Sequence, residues 1–283
     1  MSKKIVIASD STTDLSPELI QKYNVKTLPL VVNLGGELFS DGVDIDPDKI
    51  YAHYEQKGEL PKTAAPNVAD FSDFFKEHTA DGSAIVFFTI SAEMSSTYNN
   101  ARLAAEDFED VYVVDTKNLS TGGGLLVIRA AEMAEAGKEA SQIAKECEDI
   151  ASRVDASFVV DDLEFLYKGG RCSALAAFGA NLLQLKPCIT VSDGKMGVAK
   201  KYRGKFAKVL ETYVKDRLGD ASDIEKEHIF VTHAGCDEEI YQKCAELVKA
   251  TADFGEIHIT RAGCTISSHC GRNTLGVLFI RKK

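Results

Sequence analysis

The sequence has no pair of cysteines in CxxC spacing, no long basic run and no apolar stretch long enough to cross a bilayer. Its seven cysteines, at 147, 172, 188, 236, 244, 264 and 270, are odd in number and irregularly spaced. That spacing suggests neither a disulfide framework nor a structural zinc site, and reduced, partly buried thiols are expected. The basic runs, Lys200-Lys201 and Arg281-Lys282-Lys283, are short, and the formal net charge is -10. Neutralising a phosphate backbone needs clustered Lys and Arg, so this balance argues against a nucleic-acid binder. An anionic ligand would have to be held by a local site rather than by the overall field. The longest uncharged stretch, Cys172 to Leu185, falls well short of the ~20 residues of a membrane span. It reads as a buried helix or a pocket wall. The apolar segment near the N-terminus, Ile5 to Ser9, is too short for a signal-peptide core, and a cytoplasmic location is expected.

What is present is an ordinary globular composition: 283 residues, 45% hydrophobic and 27% charged, with no biased tract. A chain of this length accommodates two medium domains, each with its own core. Lys3 to Ser9 reads as a strand, and Ser16-Pro17-Glu18 supplies an N-cap, a first-turn proline and an early acid for the helix that follows. A second apolar run, Val25 to Leu34, leads into a Gly- and Asp-rich loop, and Pro47 opens a helix to Lys57. The proline-bracketed PKTAAPN reads as a loop before a helix from Val68 to His78. Ala84 to Ile90 and Val111 to Val114 are continuous apolar runs, the pattern of strands buried on both faces. Strand, polar loop and helix thus repeat, which predicts an α/β fold with an open parallel sheet covered on both faces. Ligands in such sheets sit beyond the carboxyl ends of the strands. After Val160 the pattern changes, with a hairpin-like VSDGKMG and a final β, α, β, β series. We divide the chain into an N-terminal three-layer domain, 1–156, and a C-terminal α/β domain with a mixed sheet, 157–283. THAGC at 232–236 and TRAGC at 260–264 form a weak internal echo, each expected to close a strand.

Four segments are candidates for chemistry. In DSTTD, Asp10 to Asp14, a phosphoryl-accepting Asp would need a second acid two residues on, where Thr12 stands. Organising the strand-to-helix loop is the better role for these side chains. In ISAEMSSTYNNA the hydroxyls of Ser95, Ser96 and Thr97 could cap a helix or bind an anion through its free amides, two compatible roles. A nucleophile would need a base, an orienting group and a GxSxG elbow, and the elbow is absent. Gly169-Gly170-Arg171 suits close approach to a carboxylate or phosphate, or equally a turn with a surface charge. His269 falls within a Gly- and Ser-rich turn, SSHCGRN.

These segments, in order with KTAAPN, VVDTKNLSTGGGLL, LEFLYKGGR, NLLQLKPCITVSDGK, VTHAG and TLGVLF, resemble the DegV family, which includes the fatty-acid-binding subunits of bacterial fatty acid kinase. The resemblance covers essentially the whole chain. It implies a two-domain α/β protein with one long-chain fatty acid in a tunnel between the domains. By position in the family's motifs, it also implies that Thr63, Ser95, Ser96 through its amide, Arg171 and His269 gather at the acyl carboxylate. Three motifs depart from the family pattern: TSxPS is TAAPN, LSGTY is MSSTY, and GPG is Gly271-Arg272-Asn273.

The function expected on this resemblance is a non-catalytic carrier with no cofactor and no metal. It would present the acyl carboxylate to a separate ATP-dependent kinase subunit, with transient contact at a membrane surface. Burial of a long acyl chain at ~0.8 kcal/mol per CH₂ would supply most of the affinity. Phe178, Leu182 and Leu183, in the uncharged segment, are candidate tunnel walls, although an ordinary core helix explains them equally well. Two enzyme readings compete: a substrate subunit like that of dihydroxyacetone kinase, with a histidine holding a small ketone, and a hydrolase using Ser95 and His269.

Overall fold

The computed structural model describes residues 3–175 and 185–283. In chain order the first half contains β1 (Ile5–Asp10), α1 (Pro17–Lys22), β2 (Lys26–Leu28), β3 (Val31–Leu34), β4 (Glu37–Ser40), α2 (Pro47–Lys57), β5 (Lys62–Ala64), α3 (Val68–Thr79), β6 (Ala84–Thr89), α4 (Thr97–Ala105), β7 (Val111–Asp115), α5 (Thr121–Glu135) and α6 (Ala140–Ala151). The second half contains β8 (Val154–Val160), α7 (Glu164–Gly169), β9 (Lys186–Ser192), β10 (Lys195–Tyr202), α8 (Phe206–Leu218), β11 (Ile224–Ala234), α9 (Glu238–Thr251), β12 (Glu256–Arg261), α10 (Cys264–Cys270) and β13 (Thr274–Arg281).

Strands β2-β1-β6-β7 form a four-stranded parallel sheet. Every residue of β6 is buried, and side chains alternate between the two faces of a strand. Ile85 and Phe87 therefore pack with Phe71, Phe74 and Phe75 of α3, whereas Val86 and Phe88 join the core formed with α5 and α6. The result is the expected helix, sheet, helix sandwich. Helix starts follow their caps: Ser16 Oγ accepts from the Leu19 amide, and Asn67 forms a capping box with Asp70.

The second sheet has six strands in the order β10-β9-β8-β13-β11-β12, mixed because β11 and β12 are parallel while the other neighbours are antiparallel. Strand β8 lies wholly in this sheet and runs through position 156. Helices α8 and α9 cover one face around the buried Tyr213. From the other face, Phe230, Leu278 and Ile280 reach into the core built around α5. Helix α5 is thus packed between the two sheets. Its sequence, TGGGLLVI at the start, permits this approach: a Cβ on Gly124 would stand 2.9 Å from Thr13 O and from the Leu15 side chain. The echoed segments close neighbouring strands in register, Thr232 opposite Thr260 and His233 opposite Arg261.

A third, three-stranded antiparallel sheet, β4-β3-β5, was not legible as such. The apolar run Val25 to Leu34 is split at Leu28, so that β2 belongs to the parallel sheet and β3 to the small one. The segment read as the loop PKTAAPN contains β5, which pairs Thr63 with Val32. Two conformational facts explain both differences. Pro29 cannot donate to a continuing ladder, and a three-residue strand shows no periodicity of its own. The candidate wall residues Phe178, Leu182 and Leu183 lie outside the described residues. Among the described residues no helix is long and apolar enough to cross a membrane. All seven cysteines are free and buried.

Candidate functional site

The site begins at the carboxyl end of β1, where DSTTD folds into a single tight turn. Asp10 caps it: its Oδ1 accepts from the Thr12 amide at 2.9 Å and from Thr12 Oγ1 at 2.6 Å. Its Oδ2 accepts from the Ile90 amide at 2.7 Å, beyond the end of β6. These side chains organise the loop, as their types suggested. Complete burial pushes the Asp10 carboxyl up to about 6, against the opposing pull of those donors.

Two further buried carboxylates reach across to the second half of the chain. Asp14 Oδ1 accepts from the Gly263 amide at 2.8 Å. Asp41 accepts from the Cys264 amide at 2.8 Å and from the Thr265 amide at 3.1 Å, capping α10. Helix α10 corrects a sequence expectation, since His269 stands in its last turn and not in an open Gly- and Ser-rich turn. CTISSHC carries too few strong helix formers to announce itself, and its start is satisfied by an acid 223 residues away.

From α10, His269 projects Nε2 to within 2.8 Å of Thr63 Oγ1 on β5. Burial, with the Arg171 charge adding to it, holds the imidazole down to about 4, so His269 is neutral near pH 7. Its Nδ1 finds no partner among the described residues. It packs against Gly169, where a Cβ would stand 2.6 Å from Nδ1. A glycine is required there because any side chain would displace the ring.

Two residues of the hydroxyl cluster, Ser95 and Ser96, line one cavity with Thr63 and His269. Ser96 is the N-cap residue of α4 but makes no capping bond. Ser95 Oγ takes that role, accepting from the Thr97 amide at 3.3 Å and sitting 2.8 Å from Thr97 Oγ1. Ser96 has φ −73° and ψ 0°, a conformation open to any residue, so a serine costs nothing in place of the family's glycine. Arg171 is exposed and donates from Nη1 to Gly169 O at 2.8 Å.

Thr63, Ser95, Ser96, Arg171 and His269 all line one cavity of about 560 Å³, in the ~300–1,000 Å³ range of small-ligand sites. The rest of the wall is largely apolar, with Leu30, Ile90, Met94, Leu119, Met196 and Ile266. One acid, Glu93, also lines it and pairs with Lys195 at 3.2 Å. Behind Leu119, Ile266 and Cys270, which it shares, lies a second void of about 30 Å³ reaching Phe158 and Leu278. The chain therefore offers hydroxyls, one neutral imidazole and one guanidinium in the wall of a largely apolar chamber.

Sequence reasoning missed two residues of this site. Thr265 is buried and lines the cavity, and its Oγ1 has no partner among the described residues. Asp41 fixes the helix that carries both Thr265 and His269. No local pattern marks Thr265 in CTISSHC, and Asp41 announces itself only as one acid of a Gly- and Asp-rich loop. Arg272, in the altered GRN turn, does not line the cavity among the described residues; it pairs with Glu55 at 3.3 Å and lies over the Tyr51 ring. Among the described residues no hydrogen bond joins Ser95 to His269: Ser95 Oγ is engaged with Thr97 and His269 Nε2 with Thr63.

The chain matches the family described as "Uncharacterised protein, DegV family" over residues 4–282. It is 32% identical over 282 residues to a DegV domain-containing protein of Clostridium acetobutylicum, covering 99% of both chains. Its fold superposes with a TM-score of 0.90 on a fatty-acid-binding DegV family protein from Thermus thermophilus, at 31% identity and covering 98% of this chain and 99% of that one. A stearic-acid-binding protein from Eubacterium ventriosum gives a TM-score of 0.84 at 29% identity, covering 100% and 99%. With the three-layer parallel sheet, the mixed second sheet and a match spanning residues 4–282, this chain belongs to the DegV family.

Proposed function

We propose that the cavity holds one long-chain fatty acid, with its carboxylate at Thr63, Ser95 and His269 and its chain along the apolar wall. The observation that carries this reading is the division of one cavity into two chemistries. Thr63 Oγ1 and His269 Nε2 meet 2.8 Å apart in its wall, and Leu30, Ile90, Leu119 and Ile266 give the same cavity its apolar surface. Hydroxyls donate to a carboxylate and leave its charge unneutralised, and the neutral His269 does the same. Arg171, exposed at the cavity wall, supplies the positive charge. The Ser96 amide, at the start of α4, and the unpartnered Thr265 hydroxyl complete the donor set.

Affinity comes from the chain. About fifteen methylenes at ~0.8 kcal/mol each give on the order of 12 kcal/mol of gross driving force, reduced by the cost of immobilising the acid. A small ketone would leave most of a 560 Å³ chamber unfilled, which weighs against a dihydroxyacetone-kinase-like role. A hydrolase would need Ser95 and His269 paired and a group orienting the imidazole, whereas Nδ1 abuts Gly169.

The protein then acts as a carrier without chemistry of its own. It exchanges its acid at a membrane surface and presents the carboxylate to a separate ATP-dependent kinase subunit, which forms the acyl phosphate. Native mass spectrometry of the chain purified from a bacterial host tests the binding: one adduct of acyl-chain mass is expected. A clean apo mass, with no uptake of labelled fatty acid after delipidation, would overturn the reading. Acyl-hydroxamate trapping with ATP and a fatty acid kinase subunit then tests presentation, and no product from the loaded carrier would remove the kinase step.

A further inference from the structure

At the opposite end of β11 and β12 from the cavity, a second group of chemistry-bearing side chains comes together. In the parallel register of these strands His228 stands beside Glu256 and Phe230 beside His258. Side chains two apart share a face, so both histidines and Glu256 project toward the layer that holds α1 and α5. His228 is buried, and its Nδ1 lies 3.1 Å from His258 Nε2. His258 Nε2 is in turn 3.7 Å from Glu256 Oε2. One donor atom from each residue falls within 4.8 Å of the other two. Zinc bonds to nitrogen and oxygen of ~2.0–2.2 Å set neighbouring ligands of a tetrahedron roughly 3.3 Å apart, close to these separations.

The surroundings add the features that a metal-binding imidazole needs. On its far side, His228 Nε2 is 2.8 Å from Glu132 Oε1 of α5, and an outer carboxylate of this kind fixes the tautomer that leaves the inner nitrogen free. His258 meets His228 nearly edge to edge across that nitrogen contact, ring centroids 5.3 Å apart, and rests against Phe230 at 4.6 Å. One group opposes a cation: Lys22 Nζ of α1 lies 2.7 Å and 2.9 Å from the two Glu256 oxygens. Lys22 is about half exposed, so its ammonium can keep Oε1 or swing to water while Oε2 turns inward.

We propose that His228 Nδ1, His258 Nε2 and Glu256 Oε2 form a binding site for one divalent cation of the zinc class, with water completing its coordination. Two imidazoles and one carboxylate suit zinc, cobalt or nickel and do not suit the oxygen-seeking magnesium and calcium. On binding, the His258 proton moves from Nε2 to Nδ1, and no proton leaves the ring. The cation would tie the β11–β12 edge to α5 through Glu132.

The test is isothermal titration of the full chain, stripped with a chelator and delipidated, with zinc chloride. We expect one equivalent bound, with a dissociation constant in the micromolar range or below. His258→Gln should weaken binding at least tenfold, as should Glu256→Gln, whose half-exposed side chain leaves the core untouched. Glu132→Gln should weaken it roughly tenfold through the outer hydrogen bond alone. No binding to the parent, a stoichiometry other than one, or a loss under tenfold in both ligand variants would overturn the assignment. Fatty acid is not used in the titration, so this outcome is independent of what the cavity binds.

Discussion

Replacing Thr63 by valine removes one hydroxyl from the cavity wall and keeps nearly the same shape and a good strand former on β5. Thr63 Oγ1 lies 2.8 Å from His269 Nε2, so in the complex this hydroxyl has two partners to choose from, the imidazole and the acyl carboxylate. A hydrogen bond to a charged group contributes about 1.5–3 kcal/mol, and each 1.4 kcal/mol is tenfold in affinity. The expected loss is therefore roughly 10- to 150-fold in the dissociation constant for a long-chain fatty acid. Competition against a fluorescent fatty acid on delipidated protein reads this directly. The fatty acid methyl ester provides the control, because it has no charge for Thr63 to serve. The parent should prefer the acid over the ester, and the Thr63→Val variant should lose most of that preference. A variant that binds the acid within threefold of the parent, or that weakens acid and ester equally, would refute the assignment of Thr63 to the head group.

Gly169→Ala places a methyl where only 2.6 Å separates it from His269 Nδ1; overpacking of this kind costs about 1–3 kcal/mol, and urea unfolding should show that loss together with weakened fatty-acid binding. Unchanged stability and affinity would mean that the imidazole has room to move. The pH dependence of folding carries a signature of the same residue. His269 is held down to about 4 in the fold against 6.5 ordinarily, so the unfolded chain takes up its proton first and stability falls with pH through this window. Between pH 7 and 5 His269 should account for about 2 kcal/mol of lost stability. That part of the slope should be missing from His269→Gln in paired urea titrations, and identical slopes would contradict a buried neutral imidazole.

How much of this could be read from the chain depends on the range of the interaction that fixes each element. Continuous apolar runs such as Ala84 to Ile90 declare a strand covered on both faces, and Ser16-Pro17 or Asn67 with Asp70 declare helix starts, because the cause and the structure lie within a few residues. The three-layer domain followed from those local signals. Strand β5 and helix α10 did not, since both are short and owe their form to partners elsewhere: β3 for the first and Asp41 for the second. The candidate site divides in the same way. Thr63, Ser95, Arg171 and His269 were named from motifs, and the structure brings them to one cavity. Thr265 was invisible because its place on the wall depends on which way a seven-residue helix is turned. The proton state of His269 was equally hidden, being set by burial and by Arg171.

The contacts of Asp14 with Gly263 and of Asp41 with Cys264 and Thr265 bear on how such a protein can change over generations. The donors that fix α10 belong to one half of the chain and the acids that receive them to the other. Neither half carries the whole wall of the cavity, which takes Thr63 and Ser95 from the first and Arg171 and His269 from the second, so neither could be shuffled alone onto another scaffold. A chimera joining the first half of this chain to the second half of a relative would inherit a working cavity only where both carboxylate pairings survive the exchange. The two sheets are in this sense a single unit of inheritance, and variation that retunes the cavity is free to accumulate only around that fixed seam.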